Sequence, residues 1–418
     1  MSTDTAGTAD GRGRPYVIVG ASLGGAKAAE ALREAGHQGD IVLIGAEHER
    51  PYERPPLSKG YLLGKTPREK IYVHPPQWYS DHDVTLRLGT AVTSIDPVAH
   101  TVTLADDGRI EYAKLLLTTG SVPRRLPVPG AEQDGVHYLR RVEDSDRIRA
   151  ALVPGARVVV IGAGWIGLET AAAAARTAGA EVTVLEAAEL PLLRVLGREV
   201  AQVFADLHRD HGVDLRFGAQ VEELTGEDGT VTGVRLGDGT TVAADAVIVG
   251  IGIAPDTALA ESAGLALDNG VKTDEYLRTS DPDIHAAGDV ANAFHPLYGR
   301  HIRVEHWANA LNQPQTAARA MLGQDTPYDR VPYFFTDQYD LGMEYTGYVE
   351  PGGYDRVVFR GDVKANEFIA FWLADGRVLA GMNVNVWDVT DPIRELIVSK
   401  RVVDADRLTD PKIPLSEL

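Results

Sequence analysis

The sequence predicts an α/β fold that uses one β–turn–α–β unit twice and ends in a smaller α+β domain. Three observations carry this. A β-branched run at 16–19 stops at Gly20, an Ala- and Glu-rich helical pattern covers 24–35, and an apolar run follows at 41–44. The same grammar returns as a strand at 157–161, a glycine turn at 162–167, a helix at 168–178 and a strand at 181–185. After about residue 327 it gives way to short alternating segments. Short apolar strands separated by helices build parallel sheets, whereas alternating segments with Asp-Gly turns build antiparallel ones.

The remaining elements follow in order. Residues 1–15 are small, polar and glycine-rich and read as a disordered tail. Pro123, Pro127, Pro129 and Gly130 stiffen 121–130 into an interdomain crossing, and 249–255 forms a second one. The change of pattern after about residue 327 makes 327–418 a third, smaller α+β domain. In the third, 357–360, 368–373 and 378–386 read as antiparallel strands with a turn at Ala374-Asp375-Gly376. A helix then runs from Asp391 to about 401, with Asp391 as N-cap and Pro392 at the first helical position.

Composition narrows the chemistry. With 44% hydrophobic and 24% charged residues, the 418-residue chain can build sizeable cores. No apolar run approaches the ~20 residues of a membrane span, and the N-terminus lacks the apolar core of a signal peptide, so a cytoplasmic protein is expected. A net charge of -19 argues against broad nucleic-acid binding. There is no cysteine, which excludes thiolate, disulfide and Cys-ligated metal chemistry. His295, His301 and His306 cluster without acidic partners at ligand spacing, so no metal site is expected. Any redox chemistry belongs to a bound organic cofactor.

The glycine turns say which. Gly162-Ala163-Gly164-Trp165-Ile166-Gly167 follows a strand and opens a helix, where backbone approaches a pyrophosphate and the helix N-terminus favours its charge. The next strand ends in Glu186, placed to accept from an adenosine ribose and to repel a 2′-phosphate, which favours NADH over NADPH. The first turn, Gly20-Ala21-Ser22-Leu23-Gly24-Gly25, has Ser22 where the second glycine belongs, and its unit ends in Glu47. Two such turns make two Rossmann-like dinucleotide-binding domains in a glutathione-reductase-like arrangement. FAD plus NADH is the economical pair of ligands.

At this point the segment Pro51-Tyr52-Glu53-Arg54-Pro55-Pro56-Leu57-Ser58-Lys59 resembles the FAD-dependent ferredoxin reductases that serve cytochromes P450 and ring-hydroxylating dioxygenases. Thr118-Thr119-Gly120, Gly250-Ile251-Gly252, Ala287-Gly288-Asp289, Glu305-His306-Trp307 and Asp337-Gln338-Tyr339-Asp340 extend the resemblance in order along nearly the whole chain. It implies an FAD-binding domain, 16–120 and 250–326, split by an inserted NADH-binding domain, 121–249, and electron flow from NADH through FAD to a [2Fe–2S] ferredoxin. A same-fold NADH oxidase, a quinone or dye reductase, and an NADH-sensing flavoprotein are the alternatives.

The resemblance also distributes roles. Gly20, Ser22, Gly25, Glu47, Arg54, Thr119, Gly120, Gly288, Asp289 and Ala308 would hold FAD, with Asp289 on ribityl or phosphate-side hydroxyls. Gly162, Gly164, Ile166, Gly167, Glu186 and Gly252 would hold NADH. Lys59 would stand beside the flavin ring, paired with Glu169, and Trp307 near the ring towards the ferredoxin, unless it is a core tryptophan. An acidic ferredoxin needs local basic charge, and Arg300, Arg303, Lys400 and Arg401 are the candidates. The expected state is a monomer or weak homodimer.

Overall fold

The computed structural model describes residues 13–177 and 179–418. The tail expected at 1–15 thus falls almost wholly outside the described residues, as does Ala178.

Two five-stranded parallel sheets form the body. The first is ordered Ile284–Ala286, Lys114–Leu117, Tyr16–Val19, Ile41–Ile44, Val84–Arg87. The second is ordered Asp214–Phe217, Glu181–Glu186, Arg157–Ile161, Ala246–Val249, Val136–Tyr138. Parallel strands are covered on both faces, so they read as unbroken apolar runs. Leu115-Leu116-Leu117 and Val158-Val159-Val160 are such runs, and all six side chains are buried. The two proline-bearing crossings meet as an antiparallel ribbon, Ser121–Pro123 against Ile253–Pro255.

Both glycine turns lead into helices that begin earlier than their sequence pattern suggests. Helix Leu23–Glu34 follows Ser22, and helix Trp165–Ala175 follows Gly164, three residues before the expected start at 168. The last glycines of each turn therefore lie in the first helical turn. Apolar periodicity could not mark this start, because the residues there are small and pack backbone to backbone. A Cβ on Gly167 would overlap the carbonyl oxygen of Gly162, and one on Gly25 that of Gly20.

The third unit is a five-stranded antiparallel sheet ordered Tyr333–Gln338, Leu341–Gly347, Arg377–Val384, Glu367–Ala374, Arg356–Asp362. Its first two strands were not expected. The polar stretch Asp337-Gln338-Tyr339-Asp340 hides them, since it spends two residues finishing one strand and two on a tight turn, with Tyr339 at φ +56°. The helix expected after the sheet is Thr390–Ser399, with Val389 at the N-cap position and no side-chain cap, and a short helix Ala405–Thr409 follows it. Asp391 is thus not the N-cap and Pro392 is not the first helical residue; both lie inside the first turn, and Asp391 instead binds Arg394 at 2.6 Å.

Candidate active site

The first glycine turn, the Pro55–Ser58 turn, the start of helix Trp307–Met321 and the strand Tyr333–Gln338 enclose a cavity of about 250 Å³. It opens into a larger one of about 1060 Å³ beside Gly20, Glu47 and Thr119. Ser22, Arg54, Thr118 and Arg140 line both, so the two form one elongated channel. An extended dinucleotide with a flat ring at one end has that shape.

The turn explains its own irregularity. Gly20 needs its φ of +119°, and a Cβ there would meet Thr118. Ser22 sits at φ -120°, open to any residue. In the second turn the equivalent Gly164 has only the Gly250 carbonyl oxygen, 3.9 Å from an added Cβ. The middle glycine is therefore dispensable to the fold, and a small Ser at 22 is compatible with it.

Charge is distributed along the channel. Glu47 accepts from the Tyr52 hydroxyl at 2.5 Å and pairs with Arg54 at 2.8 Å. Burial alone would raise the Glu47 carboxyl, but Arg54 and the Tyr52 hydroxyl outweigh it and hold it below the ordinary carboxylate range. Arg140 faces Asp289 at 3.7 Å, and burial followed by the nearby Arg54 pushes its guanidinium down to about 10. Glu47 and Asp289 match the Arg54 and Arg140 charges one for one. Arg140, pushed down by burial and by Arg54 beside it, is the group that a further anion would relieve; a pyrophosphate in the channel supplies one, and this chemistry fits FAD. Arg140 was missed in the sequence, where it belongs to no motif and follows an unremarkable three-residue strand.

At the smaller end Lys59 Nζ lies 2.7 Å from Glu169 Oε1, the side chains 15% and 3% exposed. Glu169 also accepts from Thr336 Oγ1 at 2.5 Å and from the Ser58 hydroxyl. Removing one partner of so buried a pair typically costs about 3–5 kcal/mol. Lys59 Nζ stands 5.5 Å from the Phe335 ring, and Phe335 meets Trp307 edge to face at 5.9 Å. Trp307 is the first residue of its helix and lines the cavity. Burial pushes the neighbouring His306 imidazole down to about 4.

The expected residues separate into groups. Gly20, Ser22, Glu47, Arg54, Lys59, Thr119, Gly120, Glu169, Gly288, Asp289 and Trp307 line the channel. Gly25 and Ala308 do not; they pack beneath it. Ile166 reaches the smaller cavity from the second turn, 42% exposed. Gly162, Gly164 and Gly167 form that turn, and Glu186 accepts from the Ala163 N–H at 2.7 Å and the Ala188 N–H at 2.8 Å. Gly252 lies in the crossing at φ +100°. Arg303 is not a surface charge: its side chain is 9% exposed, paired with Glu305 at 2.5 Å and donating to Asn269 and to the Asp289 carbonyl. No group of three or more potential ligands occurs among the described residues, and none of their helices is long and apolar enough to cross a membrane.

Two glycine-turn sheets, a channel shaped for a flavin dinucleotide and a second turn opening beside it define a flavin- and nicotinamide-dependent oxidoreductase. Residues 14–314 match the family described as pyridine nucleotide-disulphide oxidoreductase, and 333–418 match the reductase C-terminal family. The chain belongs to this oxidoreductase family and uses FAD and NAD(H). It is similar to the ferredoxin reductase subunit of 5,5'-dehydrodivanillate O-demethylase from Sphingobium sp., 41% identical over 96% of this chain and 97% of that one. Putidaredoxin reductase CamA from Pseudomonas putida is 40% identical, covering 96% of each. The crystal structure of the covalent putidaredoxin reductase–putidaredoxin complex superposes with a TM-score of 0.93 at 38% identity, over 97% of this chain and 98% of that chain. These relatives are ferredoxin reductases, and the name of the family notwithstanding, this chain has no cysteine with which to form a redox disulfide.

Proposed function

We propose that the chain oxidises NADH at the Lys59–Glu169 end of the channel and delivers electrons to a [2Fe–2S] ferredoxin that serves a cytochrome P450 or ring-hydroxylating oxygenase. The observation that carries this is the buried Lys59–Glu169 pair in a wall that contains no cysteine. FAD, when bound, supplies the chemistry that accepts a hydride and gives up electrons one at a time.

The residues then have definite tasks. Arg54 and Arg140 bind the pyrophosphate, and Glu47 and Asp289 accept from sugar and ribityl hydroxyls. The Lys59 ammonium favours an electron-rich ring, and the N-terminus of helix Trp307–Met321 adds to that bias. Trp307 and Phe335 keep water from the ring. Gly162, Gly164 and Gly167 admit the NADH pyrophosphate, Ile166 bounds the nicotinamide, and Glu186 selects its ribose.

The ferredoxin dock is reduced to Arg300, Lys400 and Arg401. Lys400 Nζ donates to the Leu297 carbonyl at 2.9 Å, which brings the end of helix Thr390–Ser399 beside the hairpin that bears Arg300. Arg300 is held by Glu350 at 2.6 Å, so Lys400 and Arg401 carry most of the attraction. Val398 and Val402, 50% and 66% exposed, flank them as apolar contacts.

Turnover with an acidic [2Fe–2S] ferredoxin against turnover with oxygen alone tests the reading. Ferredoxin is expected to win by a wide margin. Reversing Lys400 and Arg401 together should raise the KM for ferredoxin about tenfold at low salt and leave reduction of a neutral dye unchanged. Oxygen as the faster acceptor would assign the chain to NADH oxidation instead.

A further inference from the structure

The Lys59–Glu169 pair does not end at the cavity wall. Glu169 offers its neighbours only acceptor sites, so the Thr336 hydroxyl donates to it. With its hydrogen used, Thr336 Oγ1 accepts from Gln338 Nε2 at 3.3 Å. Gln338 Oε1 lies 2.8 Å from His208 Nε2, which therefore carries the ring proton. His208 Nδ1 is left as an acceptor and takes the Tyr339 hydroxyl at 3.1 Å. Every donor in the series points towards Glu169.

The sequence provides for this. Thr336 and Gln338 are two apart on one strand and share a face. The left-handed turn at Tyr339 brings its ring back over the helix Arg198–Asp210, where it meets His208 and stacks on His211 at 3.6 Å. Thr336, Gln338 and His208 are each at most 1% exposed. Burial pushes the His208 imidazole down to about 4, so the ring is neutral and serves as donor on one side and acceptor on the other. An apolar face would fill this space without desolvating four polar groups. Aligned hydrogen bonds in such surroundings polarise one another, so the last donor in the chain is stronger than a lone hydroxyl.

We propose that Tyr339, His208, Gln338 and Thr336 form a one-way donor relay that fixes the Glu169 carboxylate against Lys59 and thereby sets how readily the flavin is reduced. These are positioning residues that act through Glu169. The inference rests on the reading that the Lys59–Glu169 pair flanks the flavin.

The test uses the flavin-loaded full chain with Thr336→Val, Thr336→Ser, Tyr339→Phe and Lys59→Met. It reads the flavin midpoint potential, the rate of anaerobic reduction by NADH, and the His208 ring-nitrogen NMR shifts. Thr336→Val should lower the potential and slow reduction about tenfold, the effect of one lost hydrogen bond to a charged group. Thr336→Ser, which restores the hydroxyl, should recover most of the loss, and Tyr339→Phe should shift both readings the same way by less. His208 should carry its proton on Nε2. If Lys59→Met shifts the potential while Thr336→Val and Tyr339→Phe leave it at the parent value, the relay is overturned and the flavin reading stands. An unchanged potential in Lys59→Met overturns both. A His208 proton on Nδ1 also overturns the relay, and should Thr336→Val fail to fold, Tyr339→Phe and the tautomer decide.

Discussion

Glu186 turns one carboxylate oxygen back onto the glycine turn, accepting from the Ala163 N–H, and accepts with the other from the Ala188 N–H that follows it. Those bonds use one site on each oxygen, and a carboxylate has about four, so acceptors remain for a ribose. The same fixed charge repels a 2′-phosphate. The protein is expected to prefer NADH over NADPH, and Glu186→Gln, which keeps an acceptor but removes the charge, should narrow the ratio of kcat/KM values about tenfold. Equal use of both nucleotides by the parent would remove this role. Much of this detail was legible in the sequence: Glu186 and the two turns stand at strand ends, and Glu47 follows shortly after one, where spacing locates them. Arg140, Ser58 and Thr336 were not, because each reaches the site only through tertiary packing. Arg303 misled for the same reason, since a sequence cannot show that a basic side chain is turned inward.

The second glycine turn is an element whose geometry admits little change. A Cβ at Gly167 would strike the Gly162 carbonyl, while the first turn, which lies in the other sheet, would be untouched. Gly167→Ala should therefore yield yellow protein whose affinity for NADH falls at least about tenfold. Colourless protein would mean that the two turns do not act independently. The two central strands of each parallel sheet were readable because their apolar runs are continuous, whereas flanking strands such as Val84–Arg87 and Asp214–Phe217 carry polar residues and were not. The helix starts and the first hairpin of the antiparallel sheet were not, since small residues and a polar left-handed turn interrupt the periodicity on which such reading depends.

Across the whole molecule, His208, His285 and His306 are buried neutral, with burial pushing the imidazoles down to about 4, 3 and 4. An unfolded chain takes up protons at each near pH 6.5, so it binds more protons than the folded one below that pH, and stability falls as pH drops. Between pH 6.5 and 5, above the ordinary carboxylate range, the urea midpoint should decrease steadily, and a flat midpoint would show that these rings are solvated. The cysteine-free composition and the split of one parallel sheet across the chain agree with a single redox centre in the channel.

Anaerobic reduction by NADH, followed by the flavin absorbance in the parent and in Lys59→Met, tests the central claim most directly. The parent should bleach with about one NADH per flavin, and the bleached protein should be reoxidised by about two equivalents of ferredoxin. Lys59→Met, folded and yellow, should bleach slower by on the order of a hundredfold, as expected when a preorganised charge beside the reacting ring is removed. Bleaching of Lys59→Met at the parent rate would contradict the claim that the Lys59–Glu169 end of the channel is where hydride is received.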